Sequence, residues 1–158
     1  MTESKEDVQP VDATLTAEPP SASPSEDWFL QTLVEYANAG LELGLTLMVG
    51  GTTVSGILIN GKKYFEKLSA VVREVDGGNN EVMQTIADSF SDLGRIYDRP
   101  DDAAEDWILP PASFIHLKSA YVFTPGGGSL PNGEGVLWRG RINSVDGFTL
   151  GLLSPRGE

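Results

Sequence analysis

The segment LELGLTLMVGGTTVSGILIN, residues 41–60, leaves the chain little choice. Leu41, Leu43, Leu45, Leu47 and Val49 alternate with other residues, which is the period of a strand with one buried face. Gly50-Gly51 follows as a two-residue hairpin turn, where backbone conformations closed to most residues suit glycine. That turn pairs Val49 with Thr52, Leu47 with Val54, Leu45 with Gly56 and Leu43 with Leu58. A slip of one residue would carry the apolar set to the other face, so pattern and turn specify the same register. Gly56 opposite Leu45 marks a bend or the close approach of another element.

Around this hairpin the period changes. NGKKYFEKLSAVVREVDGG carries Tyr64, Phe65, Leu68, Val72 and Val75 at helical spacing, with Asn60 as a cap and Gly77-Gly78 as a stop. NNEVMQTIADSFSDLGRIYD repeats the pattern with Val82, Met83, Ile86, Phe90, Leu93 and Tyr97. The short gap between the two predicts an antiparallel helical pair. Upstream, SPSEDWFLQTLVEYANAG predicts a helix with Ser23 as N-cap, Pro24 at the first position and Glu26 completing a capping box. Phe29, Leu30, Leu33, Val34 and Ala37 form its apolar stripe and Gly40 ends it.

Strand period returns near the C-terminus. In FIHLKSAYVF, Ile115, Leu117, Tyr121 and Phe123 are expected on one face, with Ser119 as an interruption. Val136, Trp138, Gly140 and Ile142 form the inner face of the next strand, after a flexible TPGGGSLPNGEG connection. A five-residue loop at 143–147 would pair Ile142 with Phe148, Gly140 with Leu150 and Trp138 with Leu152, keeping apolar residues opposite one another. The expected fold is α+β: a strongly bent antiparallel sheet of about five strands, a small partly open barrel, with an N-terminal helix and an inserted helical pair. The expected divisions are a disordered acidic tail at 1–23, one domain at 24–154 with inserted helices at 60–98 and an acidic loop at 98–112, and a C-terminal tail at 155–158.

The formal charge of −12 argues against general nucleic-acid binding, which needs a basic surface. Half of it falls before Trp28, where seven acids oppose Lys5 alone. That stretch has neither a basic nor an apolar region of the secretory kind, and no apolar run approaches the roughly 20 residues of a membrane span. A cytoplasmic protein is expected. The absence of cysteine excludes disulfides, thiolate metal sites and a cysteine nucleophile. Asp98, Asp101, Asp102, Glu105 and Asp106 lack the spacing and central glycine of a calcium-binding hand, so 98–112 is expected as a solvated loop, with Trp107 and Ile108 tacking its end onto the core.

His116 is the lone histidine. No G-x-S-x-G turn offers it a nucleophile, no carboxylate stands at i+4 spacing for a shared metal, and the glycines at 126–128 lack a phosphate loop's Lys-Ser/Thr. No constellation makes an enzyme, and no cofactor is implied. With Ile115, Leu117, Val136 and Trp138 inward, His116, Lys118, Arg139 and Arg141 point outward. If the two strands pair, these four form a basic face suited to an acidic segment from a partner or from another copy.

TTVSGILINGKKYFEKLS, SFIHLKSAYVF and above all LWRGRINSVDGFTLGLLS resemble the gas vesicle accessory protein GvpU family over roughly residues 28–154. The resemblance implies a non-enzymatic cytoplasmic protein accompanying gas vesicles, which are gas-filled, protein-shelled compartments. It further implies gas vesicle shell or other gas vesicle proteins as partners and a role in assembly or clustering. Exposed strand edges make a homo-oligomer plausible. The alternative is an Sm-like small barrel binding RNA or peptide, suggested by the hairpin but opposed by the charge and by the helical period from Tyr64 onward.

Overall fold

The computed structural model describes residues 27–155. The acidic N-terminal tail and the proposed Ser23, Pro24 and Glu26 cap lie outside the described residues. Helix α1 (Trp28–Asn38) is instead capped by Asp27, whose carboxylate accepts from the Phe29 and Leu30 N–H groups. Its end matches expectation. Gly40 has φ of 107°, and the N–H groups of Gly40 and Leu41 turn back to the Ala37 and Tyr36 carbonyls, closing the orphan acceptors of the last turn.

Strands β1 (Leu43–Val49) and β2 (Thr52–Ile59) pair in the register the Gly-Gly turn demands, from Val49↔Thr52 to Leu43↔Leu58. Leu41 precedes the strand and is exposed. Gly56 meets the second half of its expectation: a Cβ there would lie 3.0 Å from Ala120 and from the Lys118 carbonyl of the neighbouring strand. Helix α2 (Gly61–Arg73) starts at Asn60, whose side-chain oxygen accepts from the Lys63 N–H. Helix α3 (Glu81–Leu93) follows, capped by Asn80. The pair is antiparallel: Arg73 at the end of α2 donates to Gln84 and Asp88 on α3, while Lys62 at its start pairs with Asp98 beyond α3.

Strand β3 (Phe114–Phe123) holds the first departure. Ser119 sits at φ of 50°, and the register slips there against both neighbouring strands. One extra residue reverses the alternation. Ile115 and Leu117 are buried inward, and beyond the bulge Ala120 and Val122 take that face rather than Tyr121 and Phe123. The two-residue β4 (Ser129–Leu130) and then β5 (Val136–Arg141) line the far side of β3.

The last strand contradicts the expected hairpin. β6 (Gly147–Leu150) pairs with β1, through Leu47↔Phe148 and Leu45↔Leu150, and lies at the opposite edge from β5. Arg141 ends beside Phe114 at one end of the sheet, and Gly147 begins beside Met48 at the other. In a flat sheet of this register those points would stand on the order of 30 Å apart, while six Cα steps reach at most about 22 Å. The sheet must therefore curl. The link dips through its hollow face, burying Ile142 to 1% exposure, and Asp146 fastens the landing by accepting from the Gly50 N–H while donating its own to the Met48 carbonyl.

The result is a six-stranded antiparallel sheet, curled but not closed. Its concave face holds the main core, where Leu30, Leu33, Val34 and Ala37 of α1 meet Leu45, Leu47, Val54, Leu58, Ile115, Leu117 and Ile142. Each full burial of such a side chain stabilises by roughly 1.5–3 kcal/mol. Its convex face carries a smaller core under α2, made of Ile57, Ile59, Tyr64, Phe65, Leu68, Tyr97 and Leu137.

After β6 the chain crosses the convex side of β1 and β2. Leu153 N–H donates to Ser55 Oγ at 2.8 Å, and Thr46 Oγ1 donates to the Gly151 carbonyl at 2.8 Å. Thr46 has one proton, so the 2.9 Å contact between the two hydroxyls runs from Ser55 to Thr46. Three bonds in one direction thus satisfy two buried hydroxyls and pin the strap of Gly151–Leu153. Leu152 consequently lies over Gly44 rather than opposite Trp138. In the acidic loop, Ile108 does not tack anything to the core; it is 80% exposed. The loop is instead anchored by Ala112, whose N–H and carbonyl both bond the Gln31 amide, at 2.7 and 3.0 Å.

Candidate functional site

β3 and β5 do pair, with His116↔Arg139 and Phe114↔Arg141 as cross-strand partners. Alternation then puts His116, Lys118, Arg139 and Arg141 on one face, as the sequence predicts. That face is not open to solvent throughout. Residues Tyr64, Phe65 and Leu68 give α2 an apolar stripe that must be covered, and the convex side of the sheet covers it.

His116 is the residue most changed by this. Expected outward, it is 2% exposed. Its ring lies 4.6 Å from the ring of Tyr64, 6.2 Å from Phe65 and 6.1 Å from Tyr97, centre to centre. Gly61 admits the Tyr97 ring: a Cβ there would sit 1.9 Å from it. Arg139 Nε donates to His116 Nε2 at 3.2 Å, so the imidazole is neutral and its proton resides on Nδ1. Burial, aided by the Arg139 charge, pulls the histidine pKa down to about 4. Burial also raises the Tyr97 phenol, with Arg139 opposing it.

Arg139 is itself held. Its guanidinium carbon lies 3.5 Å from the centre of the Phe114 ring and 6.0 Å from that of Phe65. Lys118 is held as well, because Glu42 accepts from both Lys118 and Lys63. Those two hydrogen bonds, Lys118 first, draw the Glu42 carboxyl down to about 2. Arg141 stands at the exposed end of β5 and joins no ion pair among the described residues. The cationic group is therefore graded: His116 neutral and enclosed, Lys118 and Arg139 anchored, and Arg141 free on an edge strand.

Where the Ser119 bulge spreads β3 from β5, a groove of about 580 Å³ opens beside α2. Leu68, Val71, Val136 and Leu137 line it together with Lys67 and Lys118.

The Nε2 lone pair of His116 is engaged by a cation and shut from water, so drawing a substrate proton would first require breaking that contact. Among the described residues no cluster of three or more His, Asp or Glu side chains is placed to hold a metal. Exposed cations on a strand edge, beside an apolar groove, suit a peptide or protein surface.

A family model described as gas vesicle protein GvpU-like matches residues 27–153. The chain belongs to that family. Its match opens at the α1 cap Asp27 and closes at Leu153, the residue that ties the strap to Ser55, so it spans the described fold almost end to end. No curated protein and no solved structure matches. The GvpU-like family is one of gas vesicle proteins and not a known enzyme family. No helix among the described residues is long and apolar enough to cross a membrane.

Two participants escape a reading of the sequence. Glu42, one of the residues between the alternating leucines of the 41–49 run, gathers two lysines that lie 21 and 76 residues away. Phe114 looks like a strand's first apolar residue, yet its ring is the platform for Arg139. The available signal was the alternation of β3, which already sets Phe114 on the face of His116.

Proposed function

We propose that this GvpU-like chain is a non-enzymatic accessory protein, resident in the cytoplasm with gas vesicles. It acts in their assembly or clustering through protein–protein contacts and self-association. The carrying observation is the outer edge of β5, a strand bonded among the described residues to β3 alone, which presents Arg141 and the anchored Arg139 from an otherwise acidic protein. Its partners are the vesicle shell or other gas vesicle proteins, offering an acidic segment to that edge. No cofactor, membrane or nucleic acid enters this role.

Co-flotation of the purified chain with isolated gas vesicles tests it. The wild type is expected to rise with the vesicles, more weakly as salt increases, since exposed charge contacts are screened. Arg141→Glu is the informative variant, because Arg141 is exposed and joins no ion pair among the described residues, whereas Arg139→Ser also strips His116 of its donor. Failure of the wild type to float removes the vesicle assignment. Flotation unaffected by Arg141→Glu removes the basic edge from it.

A further inference from the structure

The groove beside α2 and the acidic loop at 98–112 are complementary, and one molecule does not bring them together. The groove has exposed apolar walls, with Val71 61% and Val136 47% accessible. Lys67 and Lys118 line it, and Lys63 stands next to it, sharing the partner Glu42 with Lys118. Even with Glu134, which precedes Gly135 in its lining, these three lysines and two acids leave a net positive site.

The loop is the converse. Asp101, Asp102, Glu105 and Asp106 are exposed, and none forms an ion pair among the described residues. Two residues beyond Asp106 comes Ile108, the most exposed large apolar side chain among the described residues. The loop has a set shape: Arg99 donates to the Ala103 and Ala104 carbonyls, and backbone turns join Ala103 to Pro100 and Trp107 to Ala104. Its two ends are tied at Lys62–Asp98 and Gln31–Ala112, and no residue of it lines the groove.

We infer that the groove between α2 and the β3–β5 bulge receives the Asp101–Ile108 segment of a second copy of this chain. The carboxylates face the lysines, and Ile108 covers Val71 and Val136. The apolar contact supplies most of the affinity, while the charges set orientation and encounter rate. Each copy has one loop and one groove, so the contact joins unlike surfaces: inserted one way it leaves a free loop and a free groove on every pair, and exchanged reciprocally it closes a two-fold pair. Association by this route grows with concentration and weakens with salt. The inference rests on the self-association proposed above and gives it a location.

Sedimentation of the full chain across concentration and salt, using two exposed-surface variants, tests it. One removes the loop's chemistry (Asp102→Asn, Asp106→Asn and Ile108→Ser together); the other alters the groove (Lys67→Glu with Val71→Ser). Each alone should self-associate at least about tenfold more weakly than wild type, a loss of roughly 1.4 kcal/mol. Mixed in equal amounts they should recover pairing but stop at pairs, because one still has its groove and the other its loop. Val136→Ser gives an independent groove variant should the first fold poorly. Association unchanged in the loop variant, or a mixture that does not recover, overturns the inference. If the wild type still floats with vesicles in that case, the accessory role stands without this contact. A wild type that neither associates nor floats removes both.

Discussion

His116 stays neutral because burial and a neighbouring cation act on it in the same direction. Its folded pKa of about 4 lies below the ordinary histidine value of 6.5, so the unfolded chain binds more protons between those values. Stability from this source is complete above pH 6.5 and is lost as pH falls toward 4, by at most on the order of 3 kcal/mol. Glu42, drawn down from 4.5 to about 2, also loses its contribution as pH falls, but in a lower window. Urea unfolding at steps between pH 7 and pH 3 should separate the two. His116→Gln should flatten the upper window and leave the lower; equal slopes in variant and wild type would contradict the assignment. At Gly140 the constraint is steric. A Cβ there would come 2.2 Å from the Trp138 ring, so Gly140→Ala should cost about 1–3 kcal/mol in chemical denaturation as the indole is displaced from the core. Alternation alone placed His116, Lys118, Arg139 and Arg141 together. It could not show which side of the sheet α2 would cover, although the stripe of Tyr64, Phe65 and Leu68 had to be covered by something.

Among the elements, the β1–β2 hairpin was fully legible because every determinant of its register lies within a few residues of Gly50-Gly51. The Asn60 cap was legible for the same reason, and Asn60→Ala should lower stability by about 1 kcal/mol, measurable as a reduced denaturation midpoint with unchanged slope. β3 was half legible. Its inward pattern holds through Leu117 and then inverts at Ser119, whose φ of 50° no local composition announces. Serine carries strain in that region of backbone space that glycine does not. Ser119→Gly should therefore be neutral or stabilising by up to about 1 kcal/mol, and Ser119→Val destabilising by about 1–3 kcal/mol. If valine proved as stable as glycine, the bulge would not be fixed at this residue. The same bulge opens the groove beside α2, so a backbone irregularity and the groove proposed to receive a second copy have one origin.

For the molecule as a whole, the strap is the least local feature and the least legible. Local turn logic favoured a β5–β6 hairpin, whereas the sheet's actual partner for β6 is β1, about a hundred residues earlier. Thr46 and Ser55 looked like unremarkable polar positions in a hairpin, yet they receive the crossing chain. Ser55→Ala should cost about 1–3 kcal/mol, because it leaves the Leu153 N–H without its acceptor and removes the donor to the Thr46 hydroxyl, which keeps its own bond to the Gly151 carbonyl, and should raise hydrogen exchange at Leu153 first. β1 in turn depends on late arrivals. During synthesis its outer edge has no neighbour until residues 147–150 leave the ribosome, on the order of 5–20 s after β1 itself. For that interval the nascent chain shows an unpaired, Leu-rich strand edge, and the pace of the ribosome sets how long that edge stays open.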